Sequence, residues 1–272
     1  IDETFLQVDL FEKSALIKCT LNMRRNLESL DAQSADLVLD GDYQLNTLSV
    51  KVDEITLSTD KYRIEGNKLI VSDLPSSFSL STEVEISPYE NTRLEGFYRS
   101  GEIFCTQCEA EGFRNITWYL DRPDVMSVFT TTISAEKKYP TLLSNGNKIS
   151  SGESEHRHWA TWSDPFPKPS YLFAMVVGDL ASLEESYVTG SGRKVDLKIY
   201  TEKHNIEKVD FAMRSLKNAM RWDEKIYGRE YDLDIFMIVA VESFNMGAME
   251  NKGLNIFNTS CVLASPETTT DE

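Results

Sequence analysis

Apolar and polar residues alternate through most of the first half of the chain. Ala15, Ile17, Cys19, Leu21 and Met23 take odd positions, with Lys18, Thr20, Asn22 and Arg24 between them, the period-two pattern of a half-buried strand. Phe78, Leu80, Val84 and Ile86 repeat it. Leu48, Val50 and Val52 give way to Ile55 and Leu57, so the apolar parity reverses at Asp53-Glu54 and a turn or bulge belongs there. Further strands are predicted through Leu37–Leu39, Lys68–Val71, Ile116–Leu120 and Val125–Ile133, punctuated by Gly41-Asp42, Gly66-Asn67, Pro75-Ser76 and Asn145-Gly146. Many strands with turn signals between them, and no long helical period, predict an antiparallel sandwich or a related open-sheet domain.

The Pro-rich segment Asp164–Pro169 leads into Tyr171–Val177, another buried-strand candidate. After Gly178-Asp179 the pattern changes. Gly190-Ser191-Gly192-Arg193 marks a hairpin turn and Val195–Ile199 an alternating strand. Ile206, Val209, Met213, Leu216, Met220 and Ile226 then recur at three- and four-residue spacings or their sums, predicting one helix over residues 206–227. Asn205 reads as its N-cap and Gly228 as its C′ residue. Ile235–Val241 is a short, β-branched-rich apolar run, which reads as a strand buried on both faces. The expected division is an N-terminal antiparallel β domain over residues 1–183 and a strand–helix–strand unit over 184–272.

Composition adds bounds. The 272 residues carry 28 basic and 44 acidic side chains, a formal charge of −16, and no basic cluster that would suit nucleic acid or an anionic membrane. No unbroken apolar run exceeds seven residues, against the ~20 a spanning helix requires. The N-terminus has no basic region followed by an apolar stretch, so no secretory signal is expected. Four cysteines, only two of them close together, form no disulfide framework, and a cytoplasmic location with reduced thiols is the expectation.

Two stretches hold candidate chemistry. Cys105-x-x-Cys108 admits a redox pair or half of a zinc site, with His156-x-His158 as the one close pair that could complete it. Neither spacing is that of a common zinc module, and the βαβ context of a redox motif is missing, so structural cysteines are the better account. The second stretch, Asn245–Asn258, follows the buried run at Ile235. It carries a single carboxylate, Glu250, between Gly247 and Gly253, whose backbones tolerate close approach by a ligand. The residues alone also admit an ordinary turn with a solvated Glu.

Gly247-Ala248-Met249-Glu250-Asn251 resembles the G-A-M-E-N motif of the zinc aminopeptidases of the aminopeptidase N family, and its flanks from Phe244 to Asn258 resemble the bacterial members. Cys105–Arg114, Tyr119–Asp124 and Asp164–Pro169 resemble the same family, in order, through nearly the whole chain. The resemblance implies a mainly β fold: a sandwich-like or saddle-like N-terminal domain followed by the first strands and helix of a thermolysin-like catalytic domain. It implies that Gln107 and Glu109 project from the N-terminal domain, and that Glu109 joins Glu250 in binding the free α-amino group of a peptide. Gly247, Ala248 and Met249 would pair with substrate backbone as an added strand does. Met246 would line the pocket for the first side chain.

One departure from the family bears on catalysis. Its H-E-x-x-H helix binds zinc and supplies the general base, whereas the histidines here are His156, His158 and His204, none in that pattern. The last residues, Thr268–Glu272, resemble the run-up to that helix. The expectation is therefore the N-terminal part of a larger zinc enzyme acting on peptides with a free N-terminus, with this chain holding no zinc and inactive alone. The alternative is a noncatalytic peptide- or partner-binding β module.

Overall fold

The structure is a computed structural model and describes residues 1–26, 36–267 and 269–270. Its first fifteen strands are β1 (Glu3–Leu10), β2 (Ala15–Arg24), β3 (Leu37–Asp40), β4 (Asn46–Val52), β5 (Ile55–Thr56), β6 (Tyr62–Glu65), β7 (Lys68–Val71), β8 (Ser77–Ile86), β9 (Gly96–Ser100), β10 (Ile103–Gln107), β11 (Met126–Glu136), β12 (Thr141–Ser144), β13 (Asn147–Glu153), β14 (Arg157–Pro169) and β15 (Met175–Gly178). Eight form one sheet in the order β13-β14-β11-β1-β2-β8-β4-β5, four form a second, β12-β15-β10-β9, and β3-β7-β6 form a third. All neighbours are antiparallel except β1 and β11. Alternation on β2 and β8 turns Ile17, Cys19, Leu21, Leu80 and Val84 inward, where they join Phe104, Cys105 and Val176 of the second sheet in one core.

Some expected elements differ. Ile116–Leu120 is no strand: apart from one bridge from Tyr119 to Asp40 it is irregular, and its side chains are apolar because Ile116, Trp118 and Tyr119 plug the core. Trp118 lies so close to Gly41 that a Cβ there would sit 2.2 Å from its ring, so Gly41 serves close packing as well as the turn. The Pro-rich Asp164–Pro169 is the end of β14, and Tyr171–Val177 divides into a 3-10 turn, Ser170–Leu172, and β15. Leu48 on β4 and Ile55 on the edge strand β5 remain exposed. The parity reversal between them is a hairpin turn, with Asp53 and Glu54 at φ of 47° and 65°.

The remaining elements are β16 (Ala181–Val188), β17 (Lys194–Thr201), α1 (Asp210–Tyr227), β18 (Ile235–Val241), β19 (Ala248–Met249) and β20 (Leu254–Asn258), with sheet order β16-β17-β18-β20-β19. Sheet membership changes between β15 and β16, and residue 183 lies inside β16. β18 is parallel to both β17 and β20 and is buried on both faces, hence its unbroken apolar run. Met237, Val239 and Val241 point into the core of the N-terminal sheets, while Ile238 and Ala240 meet Val209, Met213, Leu216 and Met220 of the helical layer. The helix begins later than its periodicity predicts. Lys203–Lys208 forms a 3-10 turn, Val209 occupies the N-cap position without a side-chain cap, and the Asn205 carbonyl oxygen Oδ1 accepts from Lys208 Nζ instead. Gly228 ends the helix in the left-handed region, φ 63°, as expected of a C-terminal glycine.

Candidate functional site

The N-terminal half of the site is the end of β10. Its strand stops at Gln107, because the chain folds back in a turn closed by Gly112 N donating to Cys108 O. A side chain at Gly112 would collide with the Gln107 carbonyl. Phe113 then anchors the loop in an aromatic cluster, 4.8 Å from the Tyr119 ring centroid and 5.2 Å from that of Phe173. Arg114 pairs with the buried Asp121 carboxylate at 3.0 Å. Were the chain still extended past Gln107, the side chains of Gln107 and Glu109, two residues apart, would share one face. The turn separates them instead: Gln107 is 3% exposed, and Glu109 stands in solvent.

The other half is the segment between β18 and β20. The two residues of β19 form the edge of the sheet, with Ala248 opposite Phe257 and Met249 opposite Ile256. Met249 is fully buried, Ala248 is half-buried, and Gly247, Glu250 and Met246 are exposed. Gly253 needs its φ of +73°, and a Cβ there would lie 2.8 Å from Leu233 Cδ1. The N-terminal domain holds this segment at both ends. Ser243 N donates to Ser100 Oγ, Tyr98 OH donates to Ser243 O, and Asn245 Nδ2 donates to Arg93 O. At the far end Asn145 Nδ2 donates to Lys252 O, and Lys252 Nζ pairs with Asp232.

The two halves meet directly. Gln107 Nε2 donates to Met246 Sδ at 3.4 Å, while Gln107 Oε1 is buried without a partner among the described residues. Neither Glu109 nor Glu250 has a hydrogen-bond or ion-pair partner among the described residues, and both are exposed. The structure therefore brings Gln107 to Met246, and Gly247, Ala248, Met249 and Glu250 along one sheet edge, with Glu109 in the turn beyond Gln107. Of the residues that pin the segment, Asn245 lies within the candidate stretch itself, whereas Tyr98, Ser100 and Asn145 carry no site signal in the sequence. Their only signal was the Asn145-Gly146 dipeptide, which reads as a turn.

The cysteine and histidine candidates do not converge. Cys105 and Cys108 are fully buried thiols; burial pushes the Cys105 thiol up to about 12 and Cys108 well above its ordinary value, the opposite of a reactive or ligating cysteine. His156 sits in a hairpin turn, off the strand that carries His158, and His158 Nε2 faces the Tyr139 carbonyl at 2.8 Å. The family's zinc centre needs two histidines one helical turn apart, and the chain's three histidines do not fit it. One different grouping, Glu202, His204 and Glu242, places its potential ligand atoms within 4.8 Å of one another at the ends of β17 and β18. Burial and the facing Glu242 carboxylate raise the Glu202 carboxyl; His204 and Glu242 are exposed.

Comparisons with known proteins agree with this architecture. The Peptidase M1 N-terminal domain matches residues 3–172 and the Peptidase family M1 domain matches residues 211–272. Aminopeptidase N of Caulobacter vibrioides is 49% identical over 272 residues, covering 100% of this chain and 31% of the relative. Aminopeptidase N of Escherichia coli is 55% identical over 243 residues, 89% of this chain and 28% of the relative. The crystal structure of Legionella pneumophila aminopeptidase A in complex with aspartic acid is similar with a TM-score of 0.94 and 38% identity, covering 100% of this chain and 32% of that one. The chain thus spans about a third of the length of the relatives it matches. With both domain types matched in order on a fold of this likeness, the chain belongs to peptidase family M1.

Proposed function

We propose that this chain supplies substrate recognition to a zinc aminopeptidase that removes N-terminal residues from peptides, with Glu109 and Glu250 as an anionic clamp for the α-ammonium group. The observation that carries the reading is the junction at Gln107. A nearly buried amide from one domain donates to Met246 Sδ of the other, and its Oε1 is a buried acceptor with no partner among the described residues. An ammonium carries three donors and one positive charge, and two carboxylates plus an amide oxygen offer it three acceptor groups, two of them of opposite charge. The edge of β19 offers backbone groups to an extended peptide, a mode that holds any side chain equally well. Met246, half exposed, is adaptable enough to border the pocket for the first residue. An amino acid bound by the Legionella relative is consistent with this substrate class.

The division of labour near residue 183, with recognition shared by both domains, is part of the same reading. So is a cytoplasmic location, which the free thiols support. No helix of the described residues is long and apolar enough to cross a membrane. Because the histidines here do not make the family's zinc centre, the hydrolytic step lies with residues outside this chain.

The test uses the full-length gene product. Glu250→Gln and Glu109→Gln each remove one charge opposite the substrate ammonium. A charge-assisted hydrogen bond contributes about 1.5–3 kcal/mol, so kcat/KM on a free peptide should fall roughly 10- to 150-fold. The N-acetylated form of the same peptide should be a poor substrate for the wild type, since it would leave carboxylates unpaired in the closed site. Equal cleavage of the two forms, unchanged in either variant, would remove both residues from the clamp.

A further inference from the structure

Asn145 reads in the sequence as half of a turn signal, yet it is 3% exposed and its amide bonds backbone on both sides of the domain junction. Its Oδ1 accepts from Ala174 N at 2.8 Å. Its Nδ2 donates to Leu172 O at 3.0 Å and to Lys252 O at 2.8 Å. One partner is an N–H and two are carbonyls, so the chemistry fixes which way the amide points. Among side chains of this size only asparagine offers one acceptor and two donors together; aspartate would set a carboxylate against two carbonyls. The next residue, Gly146, has φ +88°, and a Cβ on it would come within 2.1 Å of Ser163 O. On its other side a Cβ at Gly253 would lie 3.5 Å from Gly146 N. The turn is therefore wedged between β14 and the C-terminal end of the recognition segment.

We propose that Asn145 is a positioning residue for that segment. By holding the Lys252 carbonyl to the β12–β13 turn and the residues leading into β15, it fixes where Gly247 to Glu250 lie relative to Gln107 and Glu109, while Tyr98, Ser100 and Asn245 fix the opposite end. Its catalytic consequence rests on the aminopeptidase reading; its structural consequence does not. The two halves of the site belong to different sheets that share one core; packing holds the sheets together, and the bonds that cross between them fix where the segment's ends lie. Among these, Asn145 is the buried side chain that bonds backbone on both sides at once.

Two measurements test this. In the full-length gene product, Asn145→Ala should accelerate hydrogen exchange at residues 247–254 while amides of β2 and β8 keep their protection. In the full-length product, Asn145→Ala and Asn145→Asp should lower kcat/KM on a free peptide by about 10- to 100-fold, with part of the loss in kcat, because a small misplacement of the scissile bond is enough. The ratio of Asn145→Asp to wild-type activity should rise as pH falls, since the introduced carboxyl, once protonated, regains one donor; the Asn145→Ala ratio should stay flat. Unchanged exchange at 247–254 in folded Asn145→Ala, or exchange that rises equally throughout, overturns the proposal. A wild-type product without aminopeptidase activity would instead sink the functional reading, and the exchange experiment would still decide the role of Asn145.

Discussion

Lys168 and Asp164 show how far a residue's setting can depart from its sequence. Both belong to a Pro-rich stretch that resembles a family motif, and both are almost wholly buried, 3.2 Å apart, with Lys168 Nζ 4.0 Å from the Phe129 ring centroid. Burial lowers the Lys168 ammonium to about 8, against the attraction of Asp164 and with help from Lys252. A lysine unfolded in water titrates near ~10.4. Between those values the unfolded chain holds more protons than the folded one, so this group makes stability rise with pH across that window and contributes no slope below it. Above the ordinary thiol range the buried Cys105 and Cys108, raised by burial, pull stability the other way, so the test is a difference: denaturant unfolding at several pH values from ~7 to ~10.5 should show the wild type gaining stability relative to Asp164→Asn/Lys168→Met as pH rises, and a constant difference would remove Lys168 as the cause. Removing Lys168 alone should be costly, because it strands a buried carboxylate.

At the scale of elements, a glycine in the recognition segment and one in the β16–β17 turn separate two kinds of constraint. Gly253 and Gly192 both have positive φ, but only Gly253 also faces a close neighbour, Leu233 Cδ1. Gly192→Ala should cost about 1–2 kcal/mol, the backbone term for a left-handed L-residue, and Gly253→Ala should cost more. Thermal unfolding of the two variants measures the difference, and equal costs would mean that the Leu233 contact yields freely. The helix gives a second lesson. Val209, Met213, Leu216 and Met220 fall within one stripe, whereas Ile226 stands about 100° from it at 3.6 residues per turn. Ile226 is accordingly 53% exposed. Spacing found the helix and its C-terminal glycine; it missed the N-terminus, because a 3-10 turn carried Ile206 in the same apolar register.

Over the whole molecule, the alternating faces of β18 tie the two parts together. Its odd residues complete the large core of the N-terminal sheets, and its even residues meet the smaller cluster under α1. A boundary at residue 183 treats residues 184–272 as one block. The packing refines that: β18 and β20 should share the protection of the N-terminal sheets, while α1 and β16, held only by the smaller cluster, should exchange faster. Hydrogen exchange resolved by residue tests this, and uniform protection over 184–272 would count against it.

The strands β2, β8, β17 and β18, the hairpin turn at Asp53-Glu54 and the glycine closing α1 were legible because each depends on local periodicity or on a backbone angle few residues adopt. The motif Gly247–Asn251 was legible by resemblance, which marks a segment without saying what holds it. Only tertiary structure could reveal that Gln107 is buried against Met246, that Ile116–Leu120 is core filling, or that Asn145 reaches Lys252. These relations join residues on average more than a hundred positions apart. No local pattern encodes such a pairing, because the physics that selects it is the packing of one sheet on another and the satisfaction of buried polar groups between them.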